Sequence, residues 1–305
     1  MNAVYSKVLG MLITIGLGSF LRHLGILDKK DAAVISKIML NVTLPAMIIG
    51  YLNGLTLSKD ILTAVLCGLA VNLLFFLGGF LRARKNDPDD RAVKVFSSVG
   101  MNIGGLGIPV LSTVASAEAM AAVMAFNYVG TPIFVLGIAP SVCAAAYSGG
   151  GRIRPGTVLG KLFTSTCGIT CFAMLGLSAL HIVLPPFVME FCTALNNSNN
   201  LLAMLVIGIL LELKFPKGAL RDVAGLCAVR FGAAAVCAAL IWFFLPVSDE
   251  IRRALTLVCF VPLPSPNPAL ALASGYRGGR VAAVMSLDLL VGLAAMSAML
   301  VLLYG

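Results

Sequence analysis

The feature that most constrains this chain is its succession of long apolar stretches. About 20 apolar residues, wound as a helix, cross the ~30 Å hydrocarbon core of a bilayer. Ten stretches of about that length follow one another, at 3–22, 32–53, 60–82, 92–115, 119–146, 157–183, 187–213, 219–245, 250–275 and 280–303. Composition excludes a soluble domain. Apolar residues make up 59 % of the 305 residues and charged residues 11 %, where a soluble domain carries about 25 % charged residues. The first stretch starts almost at residue 1 and is long enough to span, so it reads as a helix and not a cleavable leader. The expected fold class is all-α integral membrane.

The net charge of +9 comes from residues that lie between the stretches, not along one face. That placement argues against a nucleic-acid partner and speaks to topology instead. Arg22, Lys29, Lys30 and Lys37 follow the first stretch, and Arg82, Arg84, Lys85, Arg91 and Lys94 follow the third. Arg152, Arg154 and Lys161 follow the fifth, Lys214, Lys217 and Arg221 the seventh, and Arg277 and Arg280 the ninth. The opposite connections hold only Lys7, Lys59, Arg252 and Arg253. The positive-inside rule then places the odd connections in the cytoplasm and both termini outside, in an inner (plasma) membrane.

The Gly-rich basic segment at 147–156 divides the chain into 1–146 and 157–305. Five crossings per half force the second half to insert upside down, which is an inverted repeat. A-M-I-I-G at 46–50 and A-M-L-V-I-G at 203–208 are a weak internal echo of it.

The fourth and ninth stretches are interrupted. One contains N-I-G-G-L-G-I-P at 102–109, and the other P-L-P-S-P-N-P at 262–268. Glycine weakens a helix, and proline removes a donor and clashes with the preceding turn. Unwound backbone in a bilayer is tolerated only against protein or a water-filled cavity. Interruptions at corresponding positions of two halves point to a binding site at the midplane, where half-helix ends meet. Half-helix N-termini suit an anion. Candidate substrate contacts are Asn102, Gly104, Gly105 and Pro109 from the first break, and Pro264, Pro266, Asn267 and Pro268 from the second. Asn41, before Pro45, and Asn127 join them as amides able to donate and accept. Each asparagine has a plainer reading, that of satisfying a freed backbone group.

Arg230 and Asp288 fall inside stretches, roughly 12–16 Å and 12 Å from the cytoplasmic ends of their helices. Matching depth makes them a candidate pair, either a static ion pair or part of proton coupling. The eight cysteines lie almost entirely in apolar stretches and read as small buried hydrophobes. Cys167 and Cys171 share a helical face without further ligands, so no metal and no cofactor are expected. His23 and His181 read as interfacial. No phosphate loop, H-E-x-x-H or nucleophile–base constellation is present, so an enzyme is not expected.

Several motifs occur in a familiar order: N-V-T-L-P-A at 41–46, N-I-G-G-L-G-I-P-V-L at 102–111, L-A-M-L-V-I-G-I-L-L at 202–211 and A-V-R-F at 228–231. In these the chain resembles the auxin efflux carrier family, with its bacterial members and the plant PIN proteins. The resemblance implies a ten-helix fold like that of bile-acid symporters and sodium/proton antiporters, with a scaffold half and a transport half. It implies broken, crossing helices at Pro109 and at 264–268. It implies elevator-type efflux of small organic anions, auxin-like or malate-like, with Asn102 on the substrate carboxylate. A homodimer through the scaffold half is implied as well. The plant proteins' long cytosolic loop is replaced here by 148–156, the prolines of the second break are unusually dense, and Asp288 has no counterpart in the family pattern.

Two other functions are open to such a chain. A sodium- or proton-coupled cation exchanger would need core carboxylates, and only Asp288 is available. A non-transporting membrane sensor would need an output domain, for which the tails are too short. The topology is testable with alkaline phosphatase fusions. A fusion after residue 116 is expected to be active outside the cytoplasm and one after residue 152 inactive; the reverse pattern would invert the orientation.

Overall fold

The computed structural model describes residues 3–55, 58–83, 87–148, 166–210 and 220–305, and every regular element among them is helical. α1 spans Ala3–His23. α2 (Lys29–Ile38) runs through a π turn, Met39–Thr43, into α3 (Leu44–Leu52). α4 covers Lys59–Ala83, and α5 covers Pro88–Phe96. After a non-helical stretch at 97–102 a π turn, Ile103–Gly107, leads into α6 (Ile108–Leu111). α7 (Ala117–Pro132) continues through a π turn, Ile133–Ile138, into α8 (Ala139–Tyr147). Then follow α9 (Thr166–Ala179), α10 (Pro186–Leu210), α11 (Leu220–Phe244) and α12 (Asp249–Val258). A second non-helical stretch at 259–266 precedes α13 (Asn267–Ala273) and α14 (Arg280–Tyr304).

Five of the described helical units are long and apolar enough to cross a membrane: Lys30–Leu52, Lys59–Ala83, Ala117–Tyr147, Leu220–Phe244 and Arg280–Tyr304. The expected stretches at 92–115 and 250–275 are each split into two half-helices. The linker at 149–156, the start of the sixth stretch, residues 211–213 and residue 219 lie outside the described residues, as do Arg84, Lys85, Arg152, Arg154, Lys161, Lys214 and Lys217.

Each π turn leads directly to a proline: Pro45, Pro109 and Pro140. A proline ring would strike the carbonyl four residues back and offers it no N–H. Widening the preceding turn relieves that clash without breaking the helix. Ala117–Tyr147, which carries Pro132 and Pro140, therefore stays one continuous 31-residue helical unit.

This corrects the sequence expectation for the first break. The unwound residues are 97–102, and Gly104, Gly105 and Pro109 lie inside the following half-helix. Gly100 makes the turn with φ +80, a conformation that side chains rarely adopt. Asn102 then caps the new helix, its side chain accepting from the Gly105 N–H at 3.2 Å. In the second break the unwinding stops at Pro266, so Asn267 and Pro268 open α13, where a proline in the first turn loses nothing.

Two bodies of helices can be told apart, sharing one apolar core and meeting where α7 touches α3 and α9. In one, α1 packs on α10 and α3 packs on α9 and α10. In the other, α4 packs on α5 and α7, α11 on α12 and α14, and α12 on α7. Small residues let the backbones touch. A Cβ on Gly208 would collide with the Ile15 carbonyl, and one on Gly18 with Leu205 backbone; Gly68 and Gly130 play the same part between α4 and α7. Gly208→Ala is expected to cost about 1–3 kcal/mol and to lower the unfolding midpoint in detergent. Gly16→Ala, on the same helix pair but with no atom in the way, should leave it unchanged.

Candidate functional site

The two breaks touch, and their free backbone groups are satisfied by one another and by four side chains, three of them buried. The Asn102 N–H donates to the Pro262 carbonyl at 2.7 Å. Asn102 Nδ2 donates to Ser265 Oγ at 3.1 Å. From the other side Asn267 Nδ2 donates to the carbonyls of Phe96 (2.8 Å) and Val99 (3.1 Å), where α5 ends.

Arg230 and Asp288 do pair, and they do so at the crossing itself. Arg230 Nη1 lies 3.0 Å from Asp288 Oδ1, with both side chains fully buried. Arg230 Nη2 donates to Val261 O at 2.7 Å in the second break and to Gly100 O at 3.4 Å in the first. Asp288 Oδ2 accepts the Leu263 N–H at 2.6 Å. The guanidinium also sits over the rings of Phe75 and Phe231, at 5.7 and 5.2 Å. One arginine thus holds a carbonyl from each break, and its carboxylate partner holds an N–H of the second. Neither residue lines the cavities described next.

Two cavities flank the crossing, between the two bodies of helices. The larger, about 340 Å³, is lined by Asn41, Asn102, Asn127, Thr131 and Thr166 among its polar groups. Gly104, Gly105, Pro264 and Pro266 complete that lining. The smaller, about 120 Å³, adds Ser36, Ser265 and Ser286. Both touch Leu40, Asn102, Gly105 and Pro266, so Asn102 stands where they meet. No charged side chain lines either cavity among the described residues.

The half-helix that Asn102 opens presents its N-terminus to the larger cavity. The N–H groups of Ile103 and Gly104 have no helical carbonyl behind them; Gly104 and Gly105 line the cavity, the Gly105 N–H being taken by the Asn102 side chain. Across the cavity, Asn41 donates to Lys37 O at 2.9 Å and accepts from the Thr166 hydroxyl at 2.7 Å. Asn127 is buried, and its side-chain oxygen has no donor among the described residues. Such an orphaned acceptor inside a cavity wall is costly unless something fills the space.

Of the expected contacts, the structure thus gathers Asn41, Asn102, Gly104, Gly105, Asn127, Pro264 and Pro266 around one cavity. Pro109, Asn267 and Pro268 are not there: Pro109 is buried in its half-helix, and the Asn267 amide is occupied by carbonyls of the first break. Ser265, Thr131 and Thr166 were not singled out by the sequence. Ser265 stands between two prolines of the break and could have been; the threonines sit in apolar helices with no signal beyond their polarity.

Several apolar spans, with buried breaks satisfied in this way, mark a multi-pass membrane protein. The comparisons agree and go one step further. Residues 3–139 match the family described as membrane transport protein, the auxin efflux carrier family. The matched stretch takes in α1 to the π turn after α7, and so includes the first break and three of the cavity asparagines. It is a family of transporters and not of enzymes. No curated protein matches the chain.

Removing one member of the buried pair leaves the other uncompensated, which costs about 3–5 kcal/mol. Asp288→Ala is therefore expected to abolish folded, monodisperse protein in size-exclusion chromatography. Arg230→Gln combined with Asp288→Asn should recover part of it, because no net charge is left unpaired.

Proposed function

We propose that this protein is a secondary carrier of small organic anions, with the cavity at Asn102 as its substrate site. The observation that carries the reading is the lining itself: free N–H groups at the start of a half-helix, neutral amides and hydroxyls, and no carboxylate. A carboxylate gains charge-assisted hydrogen bonds there, while a bare cation finds no counter-charge. The orphaned Asn127 oxygen favours an anion that also carries an N–H or O–H donor. An indole acetate or a hydroxy dicarboxylate has both.

The cation-exchanger alternative loses its one carboxylate. Asp288 is held by Arg230 and the Leu263 N–H and is closed off from both cavities. A coupling role for the pair has no geometric support, whereas a static role has much.

We read the architecture as ten crossings in two inverted five-helix repeats, 1–146 and 157–305. Support comes from the packing: α1 on α10 and α3 on α9 are equivalent pairs under that symmetry, as are α4 on α5 and α11 on α12. The cavities lie between α2–α3, α9 and α10 on one side and the crossover on the other. In an elevator the crossover body slides against a fixed scaffold, carrying the site across. With the basic loops in the cytoplasm, an anion leaving a cell would gain about 2.3 kcal/mol per charge per 100 mV.

Radiolabelled uptake into proteoliposomes tests this, with indole-3-acetate, malate and malonate offered beside sodium. Saturable anion uptake is expected. It should fall about tenfold or more in Asn102→Ala, the value of one hydrogen bond to a charged group, roughly 1.5–3 kcal/mol. Asn127→Ala should reduce it without affecting folding, since that oxygen has no partner to lose. Sodium flux without anion uptake would establish the exchanger instead.

A further inference from the structure

Apart from the two crossover cavities, the ends of α11 and α14 and residues 253–260, in α12 and just beyond it, leave a groove of about 510 Å³. Its walls are apolar, among them Trp242, Phe243, Phe260 and Met299. Two polar groups break the pattern. Thr256 is 3 % exposed, and its hydroxyl has no hydrogen-bond partner among the described residues. Arg253 is exposed at the groove and forms no ion pair among the described residues, while its neighbour Arg252 is engaged by Asp249 and two carbonyls. The buried Tyr304 hydroxyl, also without a hydrogen-bond partner among the described residues, lies beside Arg253 and Glu250.

The depth of these groups fits one kind of ligand. Arg253 lies in the second turn of α12 and Trp242 near the last turn of α11, so both sit at the membrane–water boundary, where tryptophan concentrates. Thr256 and then Phe260 lead from Arg253 toward the membrane interior, and Met299 lines the opposite wall. Phe243 and Leu302 beside the groove are 75 % and 74 % exposed, which only hydrocarbon covers well. A free phosphate would meet the cation but leave the apolar walls bare. A hydrocarbon chain alone would leave Arg253 and Thr256 unmatched. A phosphodiester with an acyl chain attached satisfies both.

We propose that this groove is a binding site for a membrane phospholipid, its phosphate held by Arg253 and the Thr256 hydroxyl and one acyl chain lying along Phe260 and Met299. Trp242 is the only tryptophan in the chain and lines the groove, so it reports occupancy directly. Lipids with brominated acyl chains quench tryptophan on contact. Brominated phosphatidylglycerol and phosphatidylcholine, titrated into the full chain in detergent micelles, are expected to quench saturably near one lipid per protein. Brominated diacylglycerol, which lacks the phosphate, should quench only in proportion to its share of the micelle, and inorganic phosphate should not compete. Arg253→Gln should move the midpoint at least fivefold upward, and the isosteric Thr256→Val should move it the same way. Coincident curves for diacylglycerol and phospholipid, or an unshifted midpoint in both variants, would overturn the proposal. So would displacement by inorganic phosphate, or protein dimers joined through this face in place of lipid quenching.

Discussion

Backbone that leaves its helix inside a hydrocarbon slab has no water to bond with, and the whole arrangement of this molecule follows from how two such stretches are satisfied. Arg230 is the group both depend on. It takes a carbonyl from each break, and its partner Asp288 takes an N–H from the second. Asn102 and Asn267 complete the set from opposite sides. A charged pair this deeply buried contributes little net stability on its own account. Here it is retained because the carbonyls around it would otherwise be orphaned.

That use of charge shapes what remains for a substrate. Arg230 and its carboxylate are consumed in structure, and among the described residues the side chains of the cavities beside them are neutral. What the breaks leave uncovered are N–H groups at the start of a half-helix, glycine backbone, and amides and hydroxyls. On the function proposed above, these are the groups that hold the substrate. The seam between the two helical bodies runs through the same cavities. A relative slide there would change access to the site while leaving the satisfied crossover intact.

The sequence made the all-helical membrane class, the two interruptions and the Arg230–Asp288 pair legible, because each rests on a strong local rule: length of apolar run, proline density, and matching depth of rare charges. It misplaced the first break by about one turn. Gly104, Gly105 and Pro109 looked like breakers, yet a π turn absorbed the proline, and the chain unwound earlier, at Gly100, where a positive φ was needed. No rule of composition distinguishes those glycines. Asn267 was legible as important but not in its role, because whether an amide faces a cavity or a carbonyl depends on the helix it meets, 171 residues away in sequence. Thr131 and Thr166 were invisible for the same reason: which face of an apolar helix looks into a cavity is set by packing across the bodies, not by the helix itself.

The central claim is that the junction of the two cavities at Asn102 is where the anion sits. Ser265, bonded to Asn102 and exposed to the smaller cavity, is the place to test it, because the native cysteines are all buried. A Ser265→Cys protein should react with a small hydrophilic thiol reagent, and the reaction should slow in a saturable way when a transported anion is added. Ready labelling that no anion of the three offered can slow, in protein that still takes them up, would place the site elsewhere.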